Sequence, residues 1–178
     1  MHKHNFLLSL ITVMTILASA EAKGERVQGN EGEMPRLVVN ILIDQLRSDY
    51  LETFSPLYVE DGFQQLLRDG CYYRQAVYSV APRDRAVGTA TLATGTTPSN
   101  HGIVGERFLH RETLRPTVAV EDATVQGRGT TDRFSPASLL VTTLADELKL
   151  ATGGHAYVVS IAPQATMAIL SGGHAADQ

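Results

Sequence analysis

The chain has 178 residues, 43% apolar and 19% charged, with a formal net charge of -4, which is enough for one domain with a core and is an ordinary globular composition. Charges of both signs are interspersed and no block of Lys and Arg occurs, so the footprint of a nucleic-acid binder is missing, as is a face for an anionic membrane. Cys71 is the single cysteine; it excludes an intrachain disulfide and a cysteine-built zinc site, and it reads as a small buried hydrophobe.

The chain starts Met1-His2-Lys3-His4, continues with an apolar stretch from Phe6 to Ala20, and offers Ala18-Ser19-Ala20 and Ala20-Glu21-Ala22. A basic start, an apolar middle and A-x-A sites predict a secretory signal over residues 1–22, addressed to a periplasm or cell surface. The apolar stretch is shorter than the ~20 residues of a spanning helix, so no stable membrane anchor is expected. Residues 23–34 are rich in Gly and Glu without an apolar period and predict a mobile mature N-terminus. The folded part is then 35–178.

Arg36 to Asp44 is nearly continuous in apolar, mostly β-branched residues. Such a run predicts a strand buried on both faces of a parallel sheet. It ends at Asp44, where open α/β sheets place their ligands. Phe63, Leu66 and Leu67 recur at helical spacing, with Gly70 as the stop. Cys71 to Val80 reads as a second extended segment. After the polar break Pro82-Arg83-Asp84-Arg85, Ala86 to Thr94 has the small residues of a closely packed helix, and Gly95-Thr96-Thr97-Pro98 ends it. Glu121 to Phe134 reads as an ordered loop or a small excursion.

Ser135-Pro136 predicts a helix start, with leucines 139, 140, 144 and 148 on one face and Gly153-Gly154 as its end. Ala156 to Ile161 predicts a buried strand, and Met167 to Leu170 another short one. Strands alternating with helices imply an α/β fold, a largely parallel sheet flanked by helices. The sequence closes after a predicted strand with no helix to cover it, so the sheet is expected to be incomplete and the natural chain longer.

Four segments in this order resemble one family: Leu42-Ile43-Asp44-Gln45-Leu46-Arg47; Thr94-Gly95-Thr96-Thr97-Pro98 with His101-Gly102-Ile103-Val104-Gly105; Leu144-Ala145-Asp146-Glu147-Leu148; and Gly173-His174-Ala175-Ala176-Asp177. They resemble the type I phosphodiesterase/nucleotide pyrophosphatase branch of the alkaline phosphatase superfamily, and are most similar to periplasmic, phosphate-irrepressible alkaline phosphatases of Bacteroidetes-type bacteria. The resemblance implies an alkaline-phosphatase-like α/β fold and hydrolysis of phosphate esters. It also implies two zinc ions and a Thr or Ser nucleophile at a helix N-terminus.

Asp44 matches the first metal-binding Asp of that family. The nucleophile position holds Arg85, which has no hydroxyl and stays protonated. Glu106 stands where the family has a phosphate-binding Asn, and Gln164 and Thr166 stand where it has the cationic Lys and Arg. His101, His110, His155 and His174 match no ligand position; His174 is expected to shape a turn. The family's other metal ligands would lie beyond Gln178, so this chain is not expected to bind zinc.

The expectation is therefore an exported family member that is catalytically inactive. Three other readings stand beside it: an active phosphohydrolase or phosphodiesterase in a longer natural chain, a non-functional truncated fragment, and a binding-only pseudoenzyme. Arg85 is further expected to supply the missing metal charge by pairing with Asp44 or Glu106.

Overall fold

The computed structural model describes residues 35–79 and 84–178. The predicted signal segment, the predicted mobile stretch 23–34, and Pro82-Arg83 lie outside the described residues. The chain divides into two compact units, Met1–Ile41 and Leu42–Gln178. In the first, the described residues 35–41 are exposed and without helix or strand.

The second unit carries α1 (Tyr50–Thr53), a 3-10 turn (Ser55–Leu57), α2 (Phe63–Asp69), α3 (Arg85–Thr94), α4 (Pro98–His101), a hairpin of β1 (Arg107–His110) and β2 (Arg115–Val118), α5 (Leu144–Ala151) and α6 (Ala165–Gly172). Two of the predicted helices form as expected. α2 ends at Gly70, whose N–H donates to the Leu66 carbonyl at 3.0 Å. α3 starts behind Asp84, an extended N-cap whose side chain accepts from the first helical amides. It stops at Gly95, which adopts φ 67° and donates to the Thr91 carbonyl; a side chain there would oppose the left-handed turn.

Small residues along α3 set the core. Ala86 and Ala90 are 0% exposed and Ala93 4%, so α6 packs closely against this helix. Ile103, Ala119, Val120, Leu139 and Leu170 complete the cluster, with Phe108, Val118, Phe134, Met167 and Ile169 around it. The β1–β2 hairpin pairs antiparallel with Phe108 opposite Thr117. The 121–134 loop is ordered, closed by a bridge between Glu121 and Phe134.

One helix expectation and one strand expectation are corrected. Ser135-Pro136 makes a single turn, in which the Leu139 N–H donates to the Pro136 carbonyl at 2.8 Å, and α5 begins only at Leu144. The local competitor is a capping box. The Asp146 N–H donates to Thr143 Oγ1 at 3.1 Å, and the Thr143 N–H donates to Asp146 Oδ2 at 2.8 Å. Leu139 is 3% exposed and Leu140 70%, so the two do not share a buried helical face. Residues 167–170, read as a strand, lie inside α6: Thr166 and Leu170, four apart, are both buried, which is helical spacing.

The strand expectations differ more. Residues 156–161 do alternate: Val158 is 8% exposed, whereas Tyr157 and Ile161 are 68% and 90% exposed. The Val158 carbonyl accepts from the Asp177 and Gln178 amides at 2.9 and 3.3 Å, and the Ser160 N–H donates to the Gln178 carbonyl at 2.9 Å. These bonds have the slanted pattern of a parallel pair, but neither segment forms a strand of a sheet, so the predicted strand at 156–161 is not formed. Around residues 36–44 and 71–79 no ladder forms among the described residues, and Cys71 is exposed rather than buried. A strand buried on both faces needs neighbours on both edges and helices above and below, and Leu42 and Ile43 are 36% and 50% exposed. Among the described residues no helix is long and apolar enough to cross a membrane.

Candidate functional site

Arg85 is the first residue of α3, and its Nε lies 2.6 Å from Asp44 Oδ2. The side chains are 49% and 56% exposed, so this ion pair is open to solvent. Asp44 sits in a turn whose next residue, Gln45, takes φ 60°. Of the two partners expected for Arg85, the structure brings Asp44 to it.

The carboxylate before Arg85 has its own task. Asp84 Oδ1 accepts from the Ala86 N–H at 2.8 Å, the Val87 N–H at 3.4 Å and the Glu106 N–H at 3.0 Å. Two of the amides that a helix N-terminus would offer an external anion, those of Ala86 and Val87, are thus satisfied from within. Asp before a run of small helical residues is a legible N-cap signal; the third donor, 22 residues along the chain, has no sequence signal.

The other predicted site residues are dispersed. Glu106 contributes its backbone N–H to Asp84. Gln164 is the N-cap of α6 without a side-chain capping bond, and Thr166 is 5% exposed within that helix. Among the described residues no side-chain hydrogen bond joins Glu106, Gln164 or Thr166 to Arg85. The hydroxyls of α3 are committed elsewhere: Thr89 Oγ1 lies 3.2 Å from Met167 Sδ, and Thr91 Oγ1 3.1 Å from His101 Nε2.

Two polar clusters are built around His101, which has no predicted role, and around Asp146 with His174, which is expected to shape a turn. His101 is fully buried, and its Nδ1 accepts from the Ile103 N–H at 3.1 Å. Burial holds its pKa below the usual histidine value, and the neutral ring has Nε2–H left for Thr91. Asp146, 3% exposed, accepts from the Thr143 and Ala175 amides and from Thr143 Oγ1. Burial raises its pKa, but these bonds and His174, 3.3 Å away, together pull it below the ordinary carboxylate value. His174 Nε2 reaches the Leu139 carbonyl at 3.0 Å, so this histidine fixes the 173–177 turn against α5. Gly173, at φ 75°, lies so close to Thr143 and Asp146 that a Cβ would collide with both.

Asp44 is the one predicted metal ligand, and it faces a guanidinium. Among the described residues no group of three or more His, Cys, Asp or Glu converges. This donor set does not fit a zinc ion.

Residues 38–169 match the family described as type I phosphodiesterase/nucleotide pyrophosphatase. The chain is 36% identical over 177 residues to a protein named calcium-transporting ATPase from Myroides odoratus, covering 97% of this chain and 31% of that one. It is 34% identical to alkaline phosphatase PhoV of Synechococcus elongatus, covering 96% and 32%, and 32% identical to alkaline phosphatase PafA of Elizabethkingia meningoseptica, covering 95% and 30%. The crystal structure of wild-type PafA superposes with a TM-score of 0.70 at 35% identity, over 74% of this chain and 26% of that one. A PafA variant with Thr replaced by Ser, and Asn, Lys and Arg by Ala, gives 0.71 at 34% identity, over 75% and 26%. The fold class is therefore that of these phosphatases, an incomplete α/β fold. The chain spans about a third of the length of the curated relatives it matches.

Proposed function

This chain belongs to the type I phosphodiesterase/nucleotide pyrophosphatase family of the alkaline phosphatase superfamily, and from that membership we propose that it carries the family's phosphate-ester site in a catalytically silent form. The observation that carries the reading is Arg85, the first residue of α3, ion-paired to Asp44. Attack on phosphorus needs a group that can lose a proton and form an ester bond; a guanidinium does neither.

The surroundings support the same reading. The Thr and Asn altered in the PafA variant have the spacing of Arg85 and Glu106, and its altered Lys and Arg have the spacing of Gln164 and Thr166. Here Glu106 opposes an anionic ester, Gln164 is neutral, and Thr166 is packed inside α6. Charge-assisted contacts are the strong ones for a phosphoryl group, and these positions supply none. In the family, zinc would activate the nucleophile and hold the leaving oxygen. The described donors do not fit that ion. The character of residues 1–22 supports export to a periplasm or cell surface.

A second reading is an active phosphohydrolase or phosphodiesterase in a longer natural chain; the retained Asp44 and the threefold greater length of the relatives favour it. Incubation of a full-length protein with zinc and with a phosphate monoester or diester, 4-nitrophenyl phosphate and bis(4-nitrophenyl) phosphate, separates the two. Nitrophenolate release at the buffer rate is expected. Zinc-dependent release would establish the second reading.

A further inference from the structure

The mismatch between Asp44 and a metal has a physical resolution in the same pair of residues. Resting on the family reading of the site, we propose that the Arg85 guanidinium is the resident cation of Asp44, replacing a metal ion and making the link between the 42–47 turn and α3 metal-independent. A metal must be loaded and held by several converging donors. A guanidinium is permanently charged and covalently part of the chain, so a single carboxylate suffices to engage it.

The position of Arg85 strengthens this assignment. The first residue of a helix lies in the positive end of the backbone dipole, which disfavours a cation. Two carboxylates offset that here. Asp84 caps the helix through its amides, and Asp44 approaches the guanidinium itself at 2.6 Å. Glu106 is the third acidic residue nearby, and its backbone N–H is committed to Asp84. Removing Asp44 would leave Arg85 at the helix start without its countercharge. Removing Arg85 would leave the turn at Asp44 and Gln45 without its tie to α3. Arg85 is thus a positioning residue with no contact to a reacting atom.

Thermal unfolding of the full chain tests this, with and without added zinc and with EDTA. The variants are Asp44→Asn, Arg85→Gln, the double variant, Arg85→Lys and the swap Asp44→Arg/Arg85→Asp. For a half-exposed pair, each neutralising single substitution should lower the midpoint by about 1–3 °C. The double variant should lose no more than either single one, and Arg85→Lys or the swap should recover part of the loss. Zinc and EDTA should leave the wild-type midpoint unchanged. Additive losses would overturn the proposal; so would zinc stabilisation of the wild type that Asp44→Asn abolishes. Ester turnover is a separate readout: it defeats the functional reading and leaves this link standing, whereas zinc stabilisation through Asp44 defeats the link whatever the turnover.

Discussion

Residues 84–178 gather their apolar side chains into a common cluster, while residues 42–79 of the same unit leave theirs in solvent. Ala86, Ala90 and Leu170 are 0% exposed, against 78% for Leu57, 64% for Leu66 and 89% for Val77. Nothing between 42 and 79 is buried. Yet α2 forms there, held by local devices: Tyr58 OH donates to the Tyr50 carbonyl at 2.9 Å, and Gln64 Nε2 donates to the Tyr58 carbonyl at 2.6 Å. The contrast separates two steps that usually coincide. Local signals suffice to make a helix, but only partners distant in sequence turn an apolar face into a core.

The largest effect that sharpens this contrast is Leu170→Ala. It removes a side chain at the centre of the cluster and should cost about 2–5 kcal/mol in urea unfolding. Leu66→Ala, on exposed α2, should stay within about 0.5 kcal/mol. Equal losses at the two positions would erase the distinction between the regions.

Next comes Asp146→Ala, which deletes the capping box of α5 and the acceptor for the Ala175 amide. On the order of 2 kcal/mol should be lost, and the amide resonances of residues 173–177 should shift with it. A third, smaller effect is pH dependence. His101 has a folded pKa below its unfolded value of 6.5, so the unfolded chain takes up the proton first. Its contribution is present above that value and is lost as pH falls through the interval down to the folded pKa. Asp146 acts in the same direction at lower pH. Its folded pKa lies below 3.8, so its contribution is lost as pH falls from that value towards the folded one. Melting curves between pH 7.5 and 5 should therefore show falling stability, and His101→Gln should flatten that slope. An unchanged slope would contradict the buried neutral histidine.

How legible all this was in the sequence depends on the range of each signal. α3 was readable from its small residues and Gly95, and α2 from its spacing and Gly70. Ser135-Pro136 is a conspicuous start signal, yet α5 begins at the Thr143–Asp146 box, which is equally local and less conspicuous. In α6 a four-residue apolar window cannot distinguish helix from strand; the buried pair Thr166 and Leu170 does. The apolar run at 36–44 says that a strand would suit it, but pairing is decided by other parts of a sheet, and among the described residues the sheet is the β1–β2 hairpin, which this run does not join. At the site, the chemistry of Arg85 was legible from one residue type. Its choice of Asp44 over Glu106 was not, because it depends on where the 42–47 turn lies in space. The third donor to Asp84, the Glu106 amide, was likewise not legible, because it comes across from another segment.

The most direct test of the proposed silent site is a rapid-mixing record of nitrophenolate release from 4-nitrophenyl phosphate, with zinc present and the chain in stoichiometric amount. With Arg85 at the proposed attacking position, neither a burst nor a steady rate above buffer is expected. A zinc-dependent burst that disappears in Asp44→Asn would show that a group on this chain does attack phosphorus, and would contradict the silent site.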